Sequence, residues 1–384
     1  MREAASWVVP DEAEAFIQQH KDQAFDLLAT IARIPSPSNH EEERARFVKT
    51  WLEGKGCTGV YIDDALNVIY PVGDRGDNPL SVFMAHTDVV FPDTDPLPVT
   101  VEGGMIKAPG IGDDTANLVA LLFSAWYVTE KNLRPRNGEG VLFVANAGEE
   151  GLGNLKGSRK ICATYGSRLS QVISFDGTYK GLVNKAVGSL RMEVTVRTEG
   201  GHSYADFGNK NAIAYLAKMI TTLYQVEVPH TGRTTYNVGL ISGGTSVNTI
   251  AQEARMAYEF RSDERADLST MQQRFQTVIQ EFRGQGVSVE VKPLGERPCS
   301  GDVDAARLDA LVQLARAAIA RESGTSPRIL PGSTDCNIPL SLGIPSICFG
   351  CYLGGGAHTY QEWVEVASLH SGYRIALSAV LSRF

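Results

Sequence analysis

The sequence predicts an α/β protein in which a mostly parallel sheet is flanked by helices and a smaller α+β domain is inserted. In the first half of the chain, short apolar runs rich in β-branched residues alternate with helical stretches. Such alternation is typical of strands buried on both faces of a parallel sheet. Near residue 187 polar and apolar residues begin to alternate strictly, which is typical of antiparallel strands with one solvated face.

The individual elements follow from these patterns. An amphipathic helix opens the chain, and a second is expected over about 41–53, with Ser38 and Asn39 as caps. Buried strands are expected at 81–85, 140–146 and 171–175, with helices over 114–130 and about 153–168 between them. Amphipathic helices over about 209–225 and 266–283 accompany the antiparallel strands. We therefore expect a catalytic domain of residues 1–186 plus 294–384, with the inserted domain over 187–293.

Composition excludes several classes of function. The 384 residues carry a formal net charge of −8, which argues against nucleic acid or an anionic membrane as the main partner. The longest apolar stretch, 118–128, is too short to span a bilayer, and no secretory signal is visible. The six scattered cysteines suit reduced thiols, and the Cys348/Cys351 pair lacks the second pair of a zinc ribbon. A cytoplasmic globular protein is expected.

Histidines and carboxylates follow the predicted strands where those strands end. These residues are His86 with Asp88, Glu149 with Glu150, Asp176 and His358; in addition, the Asp113–Asp114 pair of PGIGDDTAN lies in a glycine-bearing turn just before a predicted helix. Ligands of open α/β sheets bind outside the carboxyl ends of the strands, so we expect these side chains to converge on one rim. Because so many carboxylates would repel one another in a cleft, cations are expected among them. Histidine and carboxylate ligands suit zinc, cobalt or manganese.

Charge counting favours two divalent ions at this rim. Asp113, Glu150 and Asp176 leave one positive charge uncompensated, and a bridging hydroxide would neutralise it and act as the nucleophile of a hydrolase. Asp113 is the expected bridging ligand, because each of its oxygens can bind one ion.

Two neighbouring pairs of residues suggest supporting roles. His86 and Asp88 point to the same side of a strand end, so Asp88 can fix the tautomer of the His86 ring. Glu149 and Glu150 point to opposite sides, so that one can bind metal while the other acts as general base.

Taken together, the segments HTD, GDD, GEE, FDG and AHTYQE resemble the motifs of the M20 family of dinuclear metallopeptidases, particularly its peptidase T-like aminopeptidases and dipeptidases. The resemblance implies a zinc-peptidase-like catalytic domain with two zinc ions, cobalt or manganese being alternatives. It implies the following ligands: His86 and Asp176 for one ion, Glu150 and His358 for the other, and Asp113 between them. It also implies Glu149 as general base, Asp88 as the partner of His86 and a cis Asp113–Asp114 peptide.

The resemblance gives the inserted domain the role of a lid through which two subunits form a homodimer. His202 in EGGHSY is similar to the lid histidine that stabilises the oxyanion in the neighbouring subunit's active site. Asn248 in GGTSVNTI and Arg261 in EFRS are similar to lid residues that contact polar groups of the substrate.

We therefore expect a metal-dependent hydrolase that cleaves the amide bond of a short peptide, as an aminopeptidase or dipeptidase. The alternative on the same fold is an N-acyl amino acid deacylase or a carboxypeptidase. Two other hypotheses are weaker. The first is a nucleotide-binding protein, but the glycine spacing of GLGNLKG (151–157) differs by one residue from the dinucleotide-binding fingerprint. The second is a metal-free peptide-binding protein, which would not need the complete set of metal ligands and general base.

Overall fold

The structure, a computed structural model, describes residues 7–384 and divides into two compact units. Residues 7–186 with Gly301–Phe384 form the first unit, and Val187–Ser300 form the second. The inserted unit thus extends to Ser300 rather than ending at 293. Its last strand continues past Pro293 through a shift in register, and Cys299 packs in the core of this unit.

Strands and helices are interspersed along the chain. The strands are β1 (Tyr61–Ile62), β2 (Val68–Val72), β3 (Leu80–His86), β4 (Thr100–Glu102), β5 (Met105–Lys107), β6 (Gly140–Asn146), β7 (Leu169–Phe175), β8 (Gly181–Ala186), β9 (Gly188–Arg197), β10 (Gly201–His202), β11 (Thr234–Gly243), β12 (Thr249–Ile250), β13 (Glu253–Ser262), β14 (Ser288–Arg297), β15 (Arg328–Gly332), β16 (Ser346–Phe349), β17 (Gly354–Gly355) and β18 (Trp363–Glu365). The helices are α1 (Asp11–Arg33), α2 (Glu42–Gly54), α3 (Asn117–Glu130), α4 (Lys156–Tyr165), α5 (Ala212–Tyr224), α6 (Arg265–Gly284), α7 (Ala305–Ser323), α8 (Asn337–Ser341) and α9 (Ser368–Leu381).

The large sheet of the first unit has the order β1-β2-β6-β3-β7-β16-β8-β15. Its central strands β6, β3, β7 and β16 are parallel neighbours, whereas β2 and β8 run antiparallel to β6 and β16. The three apolar runs of the sequence are therefore β6, β3 and β7, side by side. The predicted fold class, an α/β protein with helices flanking the sheet, is confirmed.

Both faces of this sheet are buried, which explains the continuous apolar runs. Along β3 the side chain of Phe83 belongs to one hydrophobic core and that of Met84 to the core on the other face. Leu121 of α3 packs in the first core, and Ile161 of α4 packs in the second. The helices thus pack against both faces of the central strands, and this packing fixes the positions from which the loops at the strand ends start.

The first helix carries a buried histidine. The His20 ring lies between Phe16 and Trp126, with ring centroids 4.5 and 4.3 Å away. Neither ring nitrogen has a hydrogen-bond partner among the described residues. This environment favours the neutral imidazole, and burial lowers the pKa of His20.

The second unit is a four-stranded antiparallel sheet, β11-β13-β9-β14, with α5 and α6 packed on one face. Val194 and Met256 of the sheet meet Phe275 of α6 in its core. Arg191 of β9 and Glu259 of β13 are directly opposite each other in the sheet and form an ion pair outside that core. The polar and apolar alternation noted in the sequence is the alternation of these two faces.

Candidate metal centre

Three neighbouring strands carry the candidate site at their carboxyl ends. β3 ends at His86, β7 is followed by Asp176, and β6 is followed after a short loop by Glu149 and Glu150. Because β3 lies between β6 and β7, these side chains meet at one point of the rim. The loop after β16 brings His358 to the same place, where its Nε2 lies 3.1 Å from Oε1 of Glu150.

Asp113 lies between the two histidines. Its Oδ1 is 3.1 Å from His86 Nε2, and its Oδ2 is 3.2 Å from His358 Nε2. Ligand atoms of His86, Asp113, Asp114 and Asp176 lie within 4.8 Å of one another, and so do those of Asp113, Glu150 and His358. The five ligands expected from the sequence thus form two adjoining groups that share Asp113.

The turn that carries Asp113 and Asp114 sends the two carboxylates in different directions. The Asp113–Asp114 peptide bond is cis, as the resemblance implied. Asp114 is fully buried; its Oδ2 accepts from the backbone N–H of His86 at 2.9 Å and its Oδ1 from the side chain of Asn117 at 2.7 Å. Asp114 therefore fixes the end of β3, a role that was not predicted from the sequence.

Asp88 is a buried anchor for the Glu149–Glu150 turn. Its Oδ1 and Oδ2 accept the backbone N–H groups of Glu149 and Glu150, each at 2.9 Å, and the Ser38 hydroxyl donates to Oδ2 at 2.7 Å. The His86 ring is held differently from the prediction: its Nδ1 lies 3.0 Å from the backbone carbonyl of Asp88 and 3.5 Å from the carboxylate. Ser38 is thus a support of the site and not the helix cap that its position suggested, since α2 begins without a side-chain cap.

The electrostatics of the site are those of crowded, buried acids. Burial and the negative charge of Asp113 raise the pKa of Asp176 to about 7. Burial alone would lower the pKa of His86, but the carboxylates of Asp114, Asp113 and Asp88 raise it well above its usual value. Hydrogen bonds to Asp113 and Glu150 raise the pKa of His358 to about 10. Positive charge is therefore favoured at this place, held either as protons on the imidazoles or as a metal ion.

The donor set fits a divalent cation. Imidazole nitrogens and carboxylate oxygens converge from separate loops, and these are the ligands that zinc, cobalt and manganese accept. His358 is the most solvent-exposed of the expected ligands, at 57% for its side chain, and its φ of 63° is uncommon outside glycine.

A buried glutamate, Glu362, supports the loop before Asp113. Its Oε1 accepts from the backbone N–H groups of Gly112 and Asp113 at 3.0 and 2.7 Å, and its Oε2 accepts from that of Gly110 at 2.9 Å. Burial raises the pKa of Glu362 to about 7. This residue belongs to the AHTYQE segment, but nothing in a strand–loop pattern shows which N–H groups a distant carboxylate accepts, so its role could not be predicted.

The three residues expected to bind substrate lie in the second unit. His202 ends β10 and Asn248 directly precedes β12; these two strands pair as a separate two-stranded sheet, and the N–H of Ser203 donates to the carbonyl of Asn248 at 3.0 Å. Arg261 lies on β13 of the four-stranded sheet, where it pairs with Ser189, and its guanidinium donates two hydrogen bonds to Glu259, at 3.1 and 3.0 Å. Within this unit, His202 and Asn248 come together and Arg261 does not join them.

The remaining sequence features are structural. All six cysteines are free and buried, including Cys348 and Cys351. GLGNLKG forms a short 3-10 turn and the start of α4, directly after Glu150. Between residues 7 and 384, none of the helices has the length and apolarity that crossing a membrane requires.

Comparison with known proteins places this site in a family. Residues 82–382 match Peptidase family M20/M25/M40. The uncharacterized protein YqjE of Bacillus subtilis is 25% identical over 339 residues, which cover 83% of this chain and 86% of that protein. A probable succinyl-diaminopimelate desuccinylase of Staphylococcus aureus is 20% identical, over 89% of this chain and 93% of that protein.

Solved structures share the fold over nearly the whole chain. The aminopeptidase PepT from Bacillus cereus superposes with a TM-score of 0.70 at 21% identity, covering 94% of this chain and 98% of that one. The dipeptidase Dug1p from Saccharomyces cerevisiae superposes with a TM-score of 0.75 at 14% identity, covering 99% of both chains. The family match spans most of the sequence and includes every expected metal ligand, so this chain is an enzyme that belongs to Peptidase family M20/M25/M40.

Proposed function

We propose that the protein is a dinuclear metal-dependent hydrolase that cleaves the amide bond of short peptides, as an aminopeptidase or dipeptidase. The observation that carries the proposal is the position of Asp113, whose two oxygens lie 3.1 and 3.2 Å from the facing nitrogens of His86 and His358. A carboxylate between two imidazoles from distant loops is suited to bridge two cations.

The proposed ligands divide between the two positions. His86 and Asp176 would hold one ion, Glu150 and His358 the other, and Asp113 would contact both. Zinc is the proposed metal, with cobalt or manganese as alternatives. When bound, the ions would polarise the scissile carbonyl and lower the pKa of the attacking water.

We assign Glu149 as the general base. Its carboxylate lies within 4.8 Å of ligand atoms of His86 and Glu150, and its side chain is almost buried. The hydrogen bond from its N–H to Asp88 fixes its backbone. Glu149 would accept a proton from the attacking water and deliver it to the leaving amine.

We assign His202 to the stabilisation of the oxyanion. Its Nδ1 accepts N–H groups of Tyr204 and Ala205 at 3.2 and 3.3 Å, so the proton of the neutral ring lies on Nε2. An Nε2–H group is the donor that a developing oxyanion requires. Asn248, directly before the strand that pairs with β10, would contact a polar group of the substrate, and Arg261 would contact another.

We further propose a homodimer formed through the second unit, with His202 acting in the partner's active site. β11 is an edge strand of its sheet, and Leu240 and Ile241 on it are 72% and 61% exposed. An edge with large apolar side chains is prone to pair with another strand. The separation of Arg261 from His202 within one chain is consistent with a substrate contacted by two subunits.

The free thiols suit a cytoplasmic location.

The alternative substrate class, an N-acyl amino acid, is supported by the similarity to the probable desuccinylase. A deacylase or carboxypeptidase would use the same ligands and base, because its reaction is also the hydrolysis of an amide. Recognition of the group on either side of that amide distinguishes these activities.

The test is a substrate screen on enzyme stripped with a chelator and reloaded with zinc, cobalt or manganese. Di- and tripeptides with free amino termini should be hydrolysed, with two ions bound per chain. Preferential hydrolysis of N-acetyl or N-succinyl amino acids would favour the alternative. Binding of a single ion, or no amide hydrolysis with two ions bound, would refute the proposed function.

A further inference from the structure

Glu362 joins the two loops that carry the ligands Asp113 and His358. Its carboxylate accepts the three N–H groups of Gly110, Gly112 and Asp113. Its own N–H donates to the carbonyl of Thr359 at 3.2 Å, and its carbonyl accepts the N–H of Ala108 at 3.2 Å. The side chain and the backbone of Glu362 together thus connect the Asp113 loop to the turn that holds His358.

The Asp113 loop is shaped to enclose this carboxylate. Gly110 has a φ of 68°, which favours glycine. A Cβ at Gly112 would lie 2.4 Å from the hydroxyl oxygen of Tyr352, so that position also requires glycine. Backbone N–H groups that converge in this way form a concave anion site, and here the anion is a side chain of the protein itself. Glu362 is 1% exposed, so water cannot replace it.

We propose that Glu362 is a positioning residue that aims the Asp113 carboxylate between the two metal positions and holds the His358 turn beside it. The inference rests on the proposed dinuclear function. The N–H of Asp113 donates to the Glu362 carboxylate at 2.7 Å, and the side chain of Asp113 faces both imidazoles. Loss of the Glu362 carboxylate therefore weakens the binding of both ions, because the shared ligand is displaced.

The matched control is Glu322, another buried carboxylate of the first unit. Its side chain is 3% exposed and forms ion pairs with Arg321 and Arg374, at 2.7 and 2.6 Å. Glu322→Gln replaces a buried carboxyl group as Glu362→Gln does, but leaves the Asp113 loop intact. If both variants lose stability but only Glu362→Gln binds metal more weakly, the weaker binding does not result from the loss of a buried carboxyl group as such.

The experiment is a calorimetric titration of chelator-treated protein with zinc, with metal content measured after dialysis. We expect Glu362→Gln to weaken both binding steps by about 10–100-fold, as loss of support to a metal ligand typically does, and Glu322→Gln to bind as the wild type. The cobalt-loaded Glu362→Gln protein should also show a changed visible absorption spectrum, since the ligand geometry changes. If the glutamine variant does not fold, Glu362→Asp, whose carboxylate is withdrawn by one methylene, should show the same loss.

The outcomes separate this inference from the proposed function. Wild-type affinity and an unchanged cobalt spectrum in a folded Glu362→Gln or Glu362→Asp variant would overturn the positioning role while leaving the hydrolase assignment intact. Weakening confined to one ion would also overturn it, because Asp113 faces both positions. Wild-type protein that binds none of zinc, cobalt and manganese would refute the proposed function and the inference with it.

Discussion

Replacing Asp88 with asparagine tests whether this carboxylate holds the catalytic turn. Asp88 is fully buried and accepts the N–H groups of Glu149 and Glu150 and the hydroxyl of Ser38. Asparagine keeps one oxygen and directs an NH₂ group at a backbone N–H donor. Each hydrogen bond to a charged group contributes about 1.5–3 kcal/mol. Loss of one bond and weakening of the others should lower the free energy of unfolding by about 2–4 kcal/mol.

The assay is thermal unfolding of the metal-free protein at pH 8. Burial alone would raise the pKa of Asp88, but its contacts with His86, Ser38 and Glu150 lower it. The charge therefore stabilises the fold at neutral pH, and this contribution is lost only as the pH falls through the lowered pKa. At roughly 2–4 °C per kcal/mol for a unit of this size, the unfolding midpoint should fall by about 5–15 °C. Metal affinity should fall about 10–100-fold.

The control is Asp64→Asn, which removes an exposed partner of Lys160 and should leave the unfolding midpoint unchanged. An Asp88→Asn protein with the same midpoint and zinc affinity as this control would refute the role assigned to Asp88. A lower midpoint with unchanged zinc affinity would limit Asp88 to stability and separate it from the metal centre.

Three further predictions concern other parts of the chain. Glu149→Gln should retain both ions and lower turnover by about 10²–10⁴-fold; metal analysis and kcat measure this, and near-normal turnover would reject the base. His202→Ala should keep its metal and lower kcat by about 10²–10³-fold. Mixing it with Asp113→Asn should restore partial activity, and no recovery would assign His202 to its own subunit. Because burial lowers the pKa of His20, the neutral ring stabilises the fold above about pH 6.5 and this stability is lost on acidification. Denaturant titrations at pH 5.5 and 8 should therefore show a greater loss for wild type than for His20→Leu, and equal losses would contradict the reasoning.

The fold and most of the site can be predicted from local patterns. The central strands β3, β6 and β7 are recognisable because strands buried on both faces must be apolar throughout. Parallel strands end at a common rim, so His86, Asp176 and Glu150 can be expected together without any knowledge of distances. His358 follows another predicted strand, charge counting indicates Asp113 as the bridging ligand, and the structure brings all five ligands into two groups that share Asp113.

The supporting contacts could not be predicted in the same way. Ser38 has the sequence context of a helix cap, yet its hydroxyl donates to Asp88, 50 residues away. The boundary of the inserted unit also differs, since β14 absorbs Pro293 in a register shift that sequence cannot distinguish from a strand end. Such contacts depend on which backbone groups the packed chain brings within hydrogen-bond distance.

The sequence by itself determined the layered fold and the residue types of the site, because periodicity and strand-end position are properties of neighbouring residues along the chain. Only the tertiary structure decided that Asp88 holds the Glu149–Glu150 turn and that Glu362 fills the loop before Asp113. Hydrogen bonds need donor and acceptor within about 3 Å, and the packing of distant segments alone sets that distance.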